Sequence, residues 1–112
     1  MEIYRITAKL NDTAFEFHIK QFEAEDNNIC YEYLDNSNPV KIRKSDLMIP
    51  KEKNSIENIR SDVHFIIHCR KGLINEAKQS IINHVDLCLS NLELILKAKK
   101  RALKNTITNY KN

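Results

Sequence analysis

Polar and apolar side chains alternate through the first seventy residues, whereas after Gly72 apolar positions recur every three or four, so strands are expected first and a helix last. From Glu2 to Leu10, Tyr4, Ile6, Ala8 and Leu10 share one face, opposite Ile3, Arg5, Thr7 and Lys9. Asn11-Asp12 supplies a turn, and Thr13 to Phe22 alternates again with Phe15, Phe17 and Ile19 on one side, which predicts a hairpin. Glu25 to Asn28 reads as a second turn and Ile29 to Leu34 as a strand with Tyr31 and Tyr33 on a common face. Asp35-Asn36-Ser37-Asn38-Pro39 is the strongest loop signal, followed by a short strand over Val40 to Lys44 with Val40 and Ile42 inward. One helical turn is expected at Ser45-Asp46-Leu47. The polar stretch from Pro50 to Arg60 predicts an exposed connection, and Asp62 to Cys69 predicts a central strand rich in β-branched and aromatic residues.

Beyond Gly72, Ile74, Ala77, Ile81, Val85, Cys88, Leu92 and Ile95 mark an amphipathic helix over 73–110, and Ile82, Leu89, Leu96 and Leu103 add a second row at intervals of seven. Ser90-Asn91-Leu92-Glu93 has the capping-box pattern, so two readings stand: a continuous helix, or a break near Ser90 that starts a second one. A continuous helix would run about 55 Å, whereas a compact chain of this length has a radius of gyration of about 13 Å. Such a helix must project, break or find a partner. The expected architecture is one α+β domain spanning 1–112, with an antiparallel sheet of four or five strands within 1–70 and the helical segment across one sheet face.

Composition narrows the setting. With 112 residues, 42% hydrophobic and 29% charged, the chain suits one globular domain and is neither disordered by composition nor long enough for a second core. Its apolar runs are too short for a membrane span or a signal peptide. Cys30, Cys69 and Cys88 are odd in number and widely spaced, giving no disulfide framework and a reducing, cytoplasmic home. Fifteen Ile, 13 Lys and 13 Asn against one Gly suggest an AT-rich coding sequence, such as that of an accessory or inhibitor protein of a bacterial mobile element. Turns that need a positive φ fall to Asn and Asp.

Charge is unevenly placed: residues 1–50 carry six cations and nine anions, whereas 97–112 hold Lys97, Lys99, Lys100, Arg101, Lys104 and Lys111 with no acid. A basic helix end compensates the macrodipole, and the same cluster is a candidate contact for nucleic-acid phosphates or for an acidic protein partner. Five of the six are lysines, which lack the guanidinium fork that reads base edges.

Candidates for chemistry are sparse. His64 and His68 share a strand face with His18 in reach, but positions four apart on a strand are separated by about 13 Å, so neither a metal site nor any cofactor is expected. His84 and Cys88 lie four apart on the helix, where the apolar stripe should bury the thiol and keep it inert. Tyr31 and Tyr33 belong to the core, or to a stacking platform if they face outward. No phosphate loop, nucleophile elbow or dinucleotide fingerprint is present, and an enzyme is not expected.

The leading expectation is a non-enzymatic interaction protein that forms a homodimer or higher homo-oligomer through Ile81, Val85, Leu89, Leu92, Leu96 and Leu103. Two alternatives of other classes stand beside it. One is a sequence-nonspecific nucleic-acid-binding protein acting through the basic end; the other sequesters a small anionic ligand with Arg5, Arg43 or Arg70.

Overall fold

The computed structural model describes residues 1–53 and 62–110, with side chains as far as Thr108; most of the connection read from Pro50 to Arg60 lies outside them. The elements run β1 (Glu2–Leu10), β2 (Phe15–Glu23), β3 (Glu25–Asn27), β4 (Cys30–Asp35), β5 (Asn38–Arg43), a 3-10 turn (Lys44–Asp46), β6 (Lys51–Glu52), β7 (Val63–Arg70) and α1 (Ile74–Tyr110). This is the α+β arrangement expected, with an N-terminal antiparallel sheet before one long helix.

β2, β1, β7 and β6 form a four-stranded antiparallel sheet in that order, whereas β3, β4 and β5 pair only among themselves as a second, three-stranded sheet. Register decides what each face of the larger sheet becomes. Tyr4, Ile6, Ala8 and Leu10 stand beside Cys69, Ile67, Phe65 and Val63 of β7, which puts every inward side chain of the two central strands on one face. The helix covers that face with Ala77, Ile81 and Val85, and Ile6, Phe65, Ile67 and Ile81 are fully buried there. Each such large side chain contributes about 1.5–3 kcal/mol by leaving water. On the opposite face Ile3 and Phe22 meet Tyr31 and Tyr33 of the smaller sheet in a second core, so this end of the main sheet is covered on both sides.

The shortage of glycine is met only in part as the composition predicts: Asn28 and Asn36 take a positive φ, but so do Ser37 and Met48, and no Asp does among the described residues. Asn36 and Ser37, the two-residue link between β4 and β5, both have positive φ, the requirement of a type I′ hairpin turn, and Asn28 turns β3 into β4. Gly72 has φ +88° where the chain leaves β7 for the helix, and nothing lies within 4 Å of where a Cβ would stand. The strain of Gly72→Ala is therefore conformational alone. It is expected to lower stability by about 1–2 kcal/mol in urea unfolding, with native circular dichroism unchanged.

Of the two readings for the C-terminal segment, the continuous helix is the one found: α1 runs 37 residues through Ser90 and Asn91. No Gly or Pro follows Gly72, and Leu87, Leu89, Leu92 and Leu94 around the serine are strong helix formers, so a cap at Ser90 has no broken backbone to stabilise. The outcome is an elongated molecule, 69 × 29 × 26 Å with a radius of gyration of 19.2 Å. The outer part of the helix projects past the sheet.

Candidate functional site

Two features stand out once the core is accounted for: the outer half of the helix, and a small polar cluster at its base. Among the described residues Val85 is the last buried side chain of α1. From there outward Leu89, Leu96 and Leu103 are 43%, 53% and 60% exposed, with Leu94, Ile95 and Ile107 also in solvent and Leu92 half-buried. Leu89, Leu92, Leu96 and Leu103 follow the alternating three- and four-residue spacing of a coiled-coil seam, with Lys99 at the intervening position. Ile81 and Val85, expected in the same interface, lie elsewhere: at 0% and 6% exposure they are sealed against β1 and β7 of their own protomer and are removed from it. The helical stripe changes duty near Leu89, which a periodicity uniform along the chain does not reveal.

The basic end is exposed from Lys97 to Lys104, and Lys97 pairs with Glu93 one turn back at 3.1 Å. Between Ile74 and Leu96 the helix carries Glu76, Asp86 and Glu93 against Lys78 alone, so its two halves have opposite net charge. Lys111 falls outside the described residues.

The candidates on the other sheet face prove to be internal. Tyr31 and Tyr33 are buried, so the stacking-platform reading is overturned: Tyr33 stacks on Phe22 at 4.2 Å between ring centroids, and its hydroxyl is 2.8 Å from His68 Nε2. Arg70 donates to the Tyr31 hydroxyl at 2.6 Å. Arg5 donates to Asp35 at 2.7 Å and Lys20 to the other carboxylate oxygen at 3.1 Å, bonds that hold the Asp35 carboxyl below its usual range. Arg5 and Arg70 thus stitch the two sheets together, although Arg70, like Arg43 at the end of β5, remains exposed. A nearby groove of about 570 Å³ is lined by Glu23, Glu25 and Glu32 beside Tyr33, an environment that repels an anion.

His68 is half-buried on β7, against the smaller sheet. Burial, with Arg5 and then Lys51 nearby, lowers its pKa from 6.5 to about 4, so it sits neutral under Tyr33. His64 lies four residues away on the same face of β7, opposite Lys9.

The second feature joins Glu52 on β6 to His84 and Cys88 on α1. β6 is a two-residue edge strand paired with β7, with Glu52 opposite Phe65. His84 and Cys88, one helical turn apart, look along the same side of α1 towards that edge, and the imidazole packs edge-on against Phe65 with centroids 5.9 Å apart. Cys88 Sγ lies 3.3 Å from Glu52 Oε1 and 3.7 Å from His84 Nε2, and His84 Nε2 lies 3.5 Å from the same carboxylate oxygen. Cys88 is half-buried at the rim of the helix, not sunk in the apolar stripe as expected. Partial burial and the Glu52 carboxylate raise its thiol above the ordinary value, so in this arrangement it donates S–H to the carboxylate and is no activated nucleophile.

Glu52 is the residue that sequence reasoning missed. It sits in Lys51-Glu52-Lys53, a polar stretch with no periodicity, and only the β6–β7 pairing brings it to the helix. No family model, curated protein or solved structure matches the chain. No helix of the described residues is long and apolar enough to cross a membrane.

Proposed function

We propose that the chain is a non-enzymatic interaction protein that pairs with a second copy of itself through the outer half of α1, the two helices running antiparallel. The observation that carries this reading is the exposed seam of Leu89, Leu96 and Leu103 with Leu92 between, on a helix that leaves its own sheet. Contiguous apolar surface of this kind is uncommon on soluble monomers and is most simply covered by a symmetric partner. Charge selects the direction. A parallel pair sets the Lys97–Lys104 cations of both copies side by side, whereas an antiparallel pair centred on Leu96 places Leu89 against Leu103 and Lys99 and Lys100 over Glu93. The same arrangement brings Lys104 towards Asp86, leaving fewer cations free for nucleic acid.

Sedimentation equilibrium of the full chain and of Leu96→Glu tests it. Two Leu96 side chains meet at the two-fold axis, so the substitution removes about 1.5–3 kcal/mol of burial per copy and weakens dimerisation about 100-fold or more. The Leu96→Glu monomer stays folded, because that side chain is exposed within one protomer, and it melts at a temperature that no longer depends on protein concentration. A wild-type chain that sediments as a monomer overturns the proposal, as does an unaltered Leu96→Glu dimer. If the basic end instead serves phosphates, duplex DNA affinity falls steeply with salt, and that slope vanishes in a chain ending at Leu96.

A further inference from the structure

We propose that Glu52, His84 and Cys88 form a binding site for a single divalent transition-metal ion of the zinc class, coordinated by one carboxylate oxygen, one imidazole nitrogen and one thiolate, with a fourth position open to water. The three donor atoms of this cluster, drawn from β6 and α1, are separated by 3.3, 3.5 and 3.7 Å. Bonds of about 2.0–2.3 Å to a tetrahedral zinc put its donors about 3.3–3.6 Å apart. The triangle thus already has the dimensions of one face of the coordination shell, and an ion needs only to sit above it.

The donor set also selects the metal. Magnesium and calcium take shells of oxygen atoms, whereas a thiolate beside an imidazole suits the borderline and softer cations. The i, i+4 placement of His84 and Cys88 on a helix is rigid, and the edge-on contact with Phe65 fixes the imidazole plane. Glu52 is also the group that disfavours a bare thiolate; a divalent cation between them replaces that repulsion with attraction and takes the place of the thiol proton, which leaves to solvent. The ion would bond the short edge strand directly to the base of the projecting helix. This site is independent of the pairing proposed above, since none of its three residues belongs to the Leu89–Leu103 seam.

Cobalt(II) is the reporting probe, added to the reduced full-length protein, with zinc displacing it. The expected result is one ion per chain, a thiolate-to-cobalt charge-transfer absorption, and bleaching of that band by equimolar zinc. Cys88→Ser abolishes the band, and Glu52→Gln and His84→Ala each weaken zinc binding more than tenfold, whereas Cys30→Ser and His64→Ala leave both unchanged. Zinc at a hundredfold excess over its dissociation constant raises the melting temperature of the wild type by more than about 5 °C. Wild type and Cys88→Ser giving the same cobalt spectrum overturns the assignment, and so does zinc affinity that falls with Cys30→Ser or His64→Ala instead. All variants are checked for native circular dichroism; a folded Glu52→Gln that binds zinc like the wild type also refutes it.

Discussion

Truncating Phe65 to alanine is expected to cost about 3–5 kcal/mol of stability, the range for removing a buried aromatic ring whose surroundings cannot collapse. Phe65 is fully buried at the centre of β7, beside Ala8 of β1 and under α1. Small neighbours such as Ala8 and Ala77 have no atoms with which to refill the space. Domains are stable by about 5–15 kcal/mol in all, so the loss is a large share of the whole and shifts the urea midpoint strongly. Leu94→Ala, at a site 65% exposed, is the matched control and should change stability by no more than about 0.5 kcal/mol. Equal destabilisation by the two changes would mean that the helix is not docked on the sheet as described. Phe65 also abuts His84, so its loss loosens the Glu52-His84-Cys88 cluster without touching a donor atom.

Much of this architecture was legible in the sequence because each long element has one unambiguous period. β1 begins and ends where the alternation places it, and α1 starts within a residue of the change of period after Gly72. Parity along β1 sorts Tyr4, Ile6, Ala8 and Leu10 onto one face, and it is this face that the helix covers. What periodicity does not carry is pairing. β4 and β5 read as further strands of one sheet, yet they close on each other and on β3, because the Asn36-Ser37 turn favours a local hairpin and Tyr31 and Tyr33 need a face of their own to bury. β3 spans only Glu25-Asp26-Asn27, a polar trio that signals a turn, and becomes a strand solely through its ladder to β4. β6 is shorter still, and with it Glu52 was invisible.

The limits of the helical stripe have the same origin. Ile81 and Leu92 are alike in hydropathy and stand in the same row three turns apart, but one lies over the sheet and is fully buried, and the other lies past its end and is half-buried. Sequence gives the width of the stripe; only the dimensions of the sheet say where it runs out. An isolated helix of the outer segment, from Leu89 to Tyr110, is marginal in water because nucleation is costly and few tertiary contacts support it. Its cohesion therefore depends on the docked inner half and, in the antiparallel pair, on the second copy. For the same reason the inner core and the outer seam should respond separately to mutation, with the melting temperature of the monomeric Leu96→Glu chain reporting the first and the dependence of the wild-type melting temperature on protein concentration the second.

Acidification from pH 7 to pH 4 is expected to remove about 2–3 kcal/mol of stability through His68 alone. The folded protein holds this imidazole neutral, lowered from 6.5 to about 4 by burial first and then by the positive charges of Arg5 and Lys51, with the Tyr33 hydroxyl 2.8 Å from Nε2. The unfolded chain takes up a proton as pH falls through about 6.5, whereas the native state does not until about 4, so the unfolded state is favoured throughout that window. Below about 4 both states are protonated and His68 contributes no further slope. Asp35 then acts in the same direction at lower pH: Arg5 and Lys20 hold its carboxyl below the ordinary value, and the stability this gives is lost as acid protonates it. Urea unfolding at fixed protein concentration, followed by circular dichroism from pH 7.5 to 3, should therefore show two successive losses. His68→Gln removes the upper one and leaves the lower, because glutamine keeps a polar group near Tyr33 without a proton to gain. If the wild-type midpoint is flat between pH 6.5 and 4.5, or if His68→Gln retains the same slope, the imidazole is not held neutral beneath Tyr33 and the packing of the two sheets differs from that described.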